Sequence, residues 1–221
     1  MKKIKYLLIA VASIISSCKK NDSGSGTTTD TYLPSTVGSN WTYKMVTSGG
    51  TPTTGTFTVS NKDTSANNRT YNVVSGTTGS NQYYSKNAND YFTLRAVGTS
   101  ALELLILKDN LGVNGTWNTS QVLSGLAGLP AGITSITINT SYKIESKGGS
   151  RLVNNTTYNN VIKDRADLVA AVPLAGNLNF GFCEFYFSKN IGIIESNIQI
   201  ANTTAGVNIN EVYTLQSYII K

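Results

Sequence analysis

Between Trp41 and the C-terminus apolar side chains recur at every second position, and that period of two restricts the chain to strands with one dry and one wet face. Trp41, Tyr43 and Met45 alternate with Thr42 and Lys44, and Phe57 and Val59 alternate with Thr56, Thr58 and Ser60. Ile136, Ile138, Tyr142 and Ile144 fall on one parity, with Ser135, Thr137, Asn139, Ser141, Lys143 and Glu145 on the other. Ile194, Ile198 and Ile200 oppose Glu195, Asn197 and Gln199. A parallel sheet needs two buried faces, so strict alternation points to antiparallel pairing. Gly49-Gly50, Asp109 to Gly112, Gly148-Gly149, Asn154-Asn155 and Lys189 to Gly192 punctuate the runs at hairpin spacing. The expected fold is all-β: an antiparallel meander of about eleven strands forming a curved sheet or open barrel, with little helix. Residues 32–221 are read as a single domain.

Four stretches depart from simple alternation. Ala101 to Leu107 and Phe180 to Phe187 are apolar at nearly every position, which predicts central strands or strands covered on their second face. Val161 to Val172 has helix-forming residues in Lys163 to Leu168. It follows a turn-like Asn159-Asn160 and is read as a strand, with a helix as the alternative. Val122 to Ile133, with its glycines and Pro130, reads as a loop or a short helix.

The N-terminus has a different character. Lys2, Lys3 and Lys5 precede an apolar run from Leu7 to Ile15, the layout of a secretory signal peptide over residues 1–17. The run is about half the roughly 20 residues that a membrane-crossing helix needs. Ile15-Ser16-Ser17-Cys18 resembles the lipobox of bacterial lipoproteins: an aliphatic residue, two small residues, then the cysteine that accepts the acyl chains. The resemblance implies cleavage before Cys18, lipidation of its thiol and a membrane anchor. Two or three chains hold stably where one is marginal. No Asp follows Cys18 directly. Lys19-Lys20-Asn21-Asp22 is similar to the short export signals of surface lipoproteins, except that Asn21 stands where an acidic residue is usual. This implies an outer-membrane lipoprotein and leaves periplasmic and surface display both open. Residues 18–31 read as a lipidated, Ser/Gly/Thr-rich tether; as a coil, Lys19 to Leu33 spans roughly 20 Å.

Composition narrows the function classes. Of the formal net charge of +6, Lys2, Lys3 and Lys5 supply three, so cleavage leaves +3. Arg69, Arg95, Arg151 and Arg165 are far apart, without the clustering that phosphate neutralisation needs, so no nucleic-acid partner is expected. The absence of histidine removes the commonest general base and metal ligand. No phosphate loop, nucleophile elbow or zinc spacing occurs, and Asp109 to Gly112 lacks the repeated acidic ligands of a calcium loop. No cofactor, metal ligand or catalytic residue is assigned. With Cys18 acylated, Cys183 has no disulfide partner, and within Phe182-Cys183-Glu184-Phe185 it reads as a small core residue.

Gly38-x-x-Trp41-x-Tyr43, Tyr158-x-x-Val161-Ile162, and Tyr186-Phe187 running into Asn190-Ile191-Gly192-Ile193-Ile194 loosely resemble landmarks of a group of envelope lipoproteins. The resemblance implies a curved sheet or open barrel similar to outer-membrane lipoprotein carriers, and no catalytic residue. Such carriers usually have a helix plugging the barrel, and no strong amphipathic helix is present here. Three readings stay open. The first is a non-enzymatic binding or carrier module for a lipid or glycan, in which Tyr83-Tyr84, Tyr91-Phe92, Trp41 or Trp117 stack on the ligand or else fill the core. The second is an accessory subunit with an envelope protein partner. The third is a hydrolase whose Asp164, Asp167 and Glu184 converge. Arg165 and Asp167, two apart on a strand, are expected to form an exposed ion pair. Intact-mass analysis of protein taken from native membranes should give a chain starting at Cys18 plus acyl mass. An unmodified Cys18 or a retained Met1 would contradict the anchor.

Overall fold

The computed structural model describes residues 31–97, 99–126, 129, 131–173, 176–202 and 207–221; the signal segment and Cys18 lie outside the described residues. Twelve strands follow one another: β1 (Asn40–Thr47), β2 (Thr53–Ala66), β3 (Arg69–Gly76), β4 (Gln82–Asn87), β5 (Asp90–Val97), β6 (Ser100–Lys108), β7 (Thr116–Ser124), β8 (Ser135–Val153), β9 (Thr156–Val172), β10 (Gly176–Ser188), β11 (Gly192–Asn202) and β12 (Val207–Ile219). They form one antiparallel sheet in the order β6-β5-β4-β3-β2-β1-β12-β11-β10-β9-β8-β7. The sheet is thus a meander joined end to end by β1 and β12, where Trp41 faces Tyr218 and Met45 faces Tyr213. The one consecutive pair without a ladder is β6 and β7, so the sheet is a nearly closed barrel. The all-β antiparallel expectation holds, with one strand more than expected. Val161 to Val172 is strand, inside β9, and the described part of the segment after Ser124 is loop.

Alternation carries one parity of each strand inward. Trp41, Tyr43, Phe57, Val59, Ile136, Ile138, Tyr142, Phe185, Ile198, Ile200 and Leu215 are all buried. The two continuous apolar runs have different causes. β6 lies at a margin of the sheet, and a bulge opposite Tyr91-Phe92 inserts Ile106 and switches which parity points inward. Its other face is covered by the first half of β3: the Arg69 guanidinium lies 3.4 Å from the Phe92 ring centroid, and the Tyr71 hydroxyl donates to Glu103 of β6. β10 is central, with Cys183, Phe185 and Phe187 inward. Its outward Phe182 and Tyr186 are roofed by Arg165 at 4.2 Å and Arg151 at 3.5 Å rather than by a second layer of protein.

Side chains sew the β6–β7 margin. The Gln121 amide accepts from the Glu103 N–H at 2.8 Å and donates to the Ala101 carbonyl at 2.7 Å, standing in for a backbone unit. Ser100 Oγ donates to the Ser124 carbonyl at 2.6 Å and accepts its N–H at 3.1 Å. The Trp117 indole N–H donates to the Leu105 carbonyl at 3.0 Å, and the Leu105 N–H donates to the Tyr142 hydroxyl at 3.2 Å. The Trp117 and Tyr142 rings are stacked, with centroids 5.1 Å apart. Side chains thereby take the place of a missing strand for the backbone of Ala101, Glu103, Leu105 and Ser124.

Gly181 marks the tightest backbone approach. It follows the bulge at Phe180, has φ +117°, and a Cβ there would lie 1.8 Å from the Gln199 carbonyl oxygen. Gly181→Ala should cost on the order of 2–5 kcal/mol from strain plus overpacking, read as a lower urea midpoint. A loss below about 0.5 kcal/mol, the scale of a neutral surface change, would contradict this register.

Candidate functional site

The inward face is not uniformly apolar. Strand direction and register bring Arg95 on β5 and Glu211 on β12, 116 residues apart, into a cross-lumen ion pair at 3.1 Å. Arg95 sits two residues from Thr93, which pairs with Leu104, and Glu211 pairs with Ile198 of β11. Both are partly buried, and the Arg95 Nε–H is buried without a partner. Burial works against the Arg95 charge, but Glu211 together with Tyr84, Tyr213 and Cys183 more than offsets it and the net shift is upward, so Arg95 is charged. Tyr43, Tyr84 and Tyr213 surround it, their phenol pKa values raised first by burial, so they stand as neutral hydroxyls. The Tyr84 hydroxyl donates to Gln82 Oε1 at 2.7 Å and the Tyr43 hydroxyl to the Ile193 carbonyl at 2.7 Å.

Arg95, Glu211 and Tyr213 line a cleft of about 320 Å³ between the β3–β4 turn, β5 and the start of β12. Phe57, Tyr83 and Tyr213 give it aromatic walls, while Asn81, Gln82, Thr93, Arg95 and Glu211 give it donors and acceptors. A smaller cavity behind it shares Gln82, Arg95 and Tyr213 and reaches Phe185 and Ser196. A separate cleft of about 210 Å³ lies between β3 and β4, where only three residue pairs join the strands; Leu33, Pro34, Asp63 and Lys86 line it. Among the described residues no group of three or more His, Cys, Asp or Glu side chains is placed to hold a metal.

Deeper in the lumen, Asp164 is fully buried, and neither carboxylate oxygen has a hydrogen-bond partner. Burial, reinforced by Glu145 and Glu184, holds its pKa well above the usual value of 3.8. Cys183, diagonally opposite on β10, is also fully buried, its thiol pushed up to about 12 chiefly by desolvation. It is a core residue rather than a thiolate nucleophile.

The three carboxylates considered for hydrolysis do not converge. Asp164 points inward. Glu184 points outward and binds Lys163 at 3.1 Å and Arg165 at 3.0 Å. Asp167 is exposed and pairs with Arg165 at 2.8 Å, the expected surface pair. Adjacent parity on β9 sends Asp164 and Arg165 to opposite faces, so the three cannot share a cleft. Of the aromatics considered for stacking, Trp41, Trp117, Tyr91 and Phe92 are core. The half-buried Tyr83 and Tyr84 do line cavities. Arg95 and Glu211 carried no sequence signal, because their meeting depends on β5 and β12 facing each other across the lumen. Asp109, in its turn, accepts from the Tyr91 hydroxyl at 2.6 Å.

No protein-family model and no curated protein matches the chain. Two crystal structures are similar in fold. One is a Parabacteroides distasonis protein provisionally described as a lipoprotein, with TM-score 0.52, 11% identity, and coverage of 86% of this chain and 99% of that one. The other is a Bacteroides fragilis protein provisionally described as exported, with a YmcC-like fold, at TM-score 0.49, 10% identity, and coverage of 86% and 100%.

Asp164 yields a pH-dependent expectation. Below pH 3.8 the carboxyl is neutral in folded and unfolded chains alike. As pH rises, the unfolded chain ionises first, so the native state loses relative stability until its own, higher pKa is reached. Asp164→Asn should therefore be more stable than the parent at pH 7.5, by about 1–3 kcal/mol, with the difference vanishing near pH 3. Urea denaturation at the two pH values checks this, and an equal effect at both would contradict it.

Proposed function

We propose that the protein is a cell-envelope lipoprotein, anchored to the outer membrane through acylated Cys18, whose barrel is a non-catalytic binding module for a neutral glycan. The lipobox-like sequence supports the anchor. The Parabacteroides structure of the same fold, provisionally described as a lipoprotein, is in keeping with an exported role.

The observation that carries the ligand class is the lining of the cleft beside Arg95 and Glu211. Sugar hydroxyls both donate and accept, and their ring faces are apolar. A cleft with a cation, an anion, two side-chain amides and aromatic walls meets each of these needs. Because Arg95 and Glu211 neutralise each other, the cleft offers no net charge to reward an ionic ligand. A lipid chain would need a long apolar concavity. The described lumen is instead filled by side chains such as Phe57, Phe185, Leu102 and Leu104. Glycan is thus preferred over lipid within the carrier reading.

The reading is tested by calorimetric titration of the full chain with neutral gluco-, manno- and galacto-oligosaccharides. Binding to at least one series is expected. Asn81→Ala, at the exposed rim, should weaken it roughly three- to tenfold, the worth of one hydrogen bond. Binding of a phospholipid or fatty acid in place of every sugar would overturn the glycan assignment.

A further inference from the structure

The two ends of the barrel differ chemically. Six connecting sequences, 48–52, 77–81, 98–99, 125–134, 173–175 and 203–206, join β1–β2, β3–β4, β5–β6, β7–β8, β9–β10 and β11–β12, and their described residues, 48–52, 77–81, 99, 125–126, 129, 131–134 and 173, lie at one end. None of these six sequences contains Asp, Glu, Lys or Arg. The glycan cleft opens beside this end, at Ser80, Asn81 and Ala96. At the opposite end lie the other five connections, the start of β1 and the C-terminus. Here stand Lys62, Lys86, Lys147, Lys189 and Lys221 against Asp63, Asp90 and Asp109; Asp90 is paired with Lys108 at 2.8 Å, and Lys147 donates to the Asp109 and Leu111 carbonyls.

The same end carries the exposed apolar side chains. Val37 is 56% exposed, Val113 51%, Leu152 67% and Ile219 53%. They sit before β1, in the β6–β7 connection, at the tip of the β8–β9 hairpin and at the end of β12. Contact between the Tyr158 and Tyr218 rings, at 6.5 Å, brings the hairpin tip beside the end of β12. Val122, on β7 near the uncharged end, is the exception. The chain also enters the domain at the basic end: Thr31 exchanges hydrogen bonds with Asn190 in the β10–β11 turn, at 2.7 and 3.1 Å.

We infer that this basic, apolar-tipped end docks on the surface of an anionic bilayer, so that the glycan cleft faces away from the membrane. The inference rests on the anchor reading of Cys18. Between Cys18 and Thr31 stand residues 19–30, and a coil of that length would span roughly 20 Å, short enough to keep this end next to the headgroups. Lysines attract anionic lipid over about a Debye length, and short apolar side chains beside them enter the headgroup layer. The described residues of the uncharged end offer no charged side chain and one strongly exposed apolar one nearby, Val122, which makes the docking directional.

The test uses full-length protein from native membranes, reconstituted in phosphatidylethanolamine–phosphatidylglycerol vesicles, with an environment-sensitive dye on Leu152→Cys or, separately, on Ser80→Cys. The protein is expected to float with the vesicles. The Leu152 dye should brighten at least twofold, be quenched by doxyl-labelled lipid, and lose much of this in 0.5 M salt, while the Ser80 dye stays in water. Flotation with both dyes in water would overturn the docking and leave the anchor standing. A Leu152 dye shielded without lipid quenching would mean that a protein covers this end, and would overturn the lipid assignment. Failure to float would overturn anchor and docking together.

Discussion

The pairing of the first strand with the last is the constraint from which the rest follows. An open twelve-strand meander would expose two edges and a broad apolar face. Joining β1 to β12 bends the sheet round and brings β6 and β7 together as the remaining margins. Those margins are closed by side chains in the positions of missing backbone partners, most directly by the Gln121 amide between Ala101 and Glu103. Closure turns one parity of each strand inward, and only then do Arg95 and Glu211, on strands five places apart in the sheet, meet.

The interior combines two kinds of chemistry. Most of it is packed Leu, Ile, Phe and Tyr, which drives folding by withdrawing apolar surface from water. Against this stand the Arg95–Glu211 pair, the neutral phenols around it, and Asp164 with no partner for either oxygen. Buried charge and unsatisfied carboxyl both cost stability relative to an apolar filling. In the first case the cost coincides with a cleft, the feature on which the proposed binding role rests. For Asp164, fully buried with neither carboxylate oxygen hydrogen-bonded, nothing in its immediate surroundings offsets the cost.

Much of the fold was legible because alternation is a local property. The strands containing Trp41-Tyr43-Met45, Ile136 to Ile144 and Ile194 to Ile200 follow from parity alone. Of the two readings given to the apolar runs, a central strand holds for β10 and a covered second face for β6, where the bulge inserts Ile106 as an extra apolar position that periodicity cannot register. It also cannot register a roof of guanidinium, which covers Phe182 and Tyr186 without any second layer. β4 is short and holds two adjacent half-buried tyrosines, so it lacks a clean two-residue period. The site was less legible still. Asp164 and Glu184 are on neighbouring strands, but opposite parity separates them. Arg95 and Glu211 look like isolated surface charges until the barrel is closed.

Closure at the side-chain seam is the claim most open to direct measurement. Residue-resolved amide hydrogen exchange by NMR should find the Glu103 and Leu105 amides protected well beyond turn amides, since both donate across the seam. In Gln121→Ala, Glu103 should lose that protection while the β1 and β12 amides keep theirs. If Glu103 and Leu105 exchange in the parent protein as fast as the turn amides of Asn67 and Asn68, the margins are open, and the closed lumen with its cleft does not exist in solution.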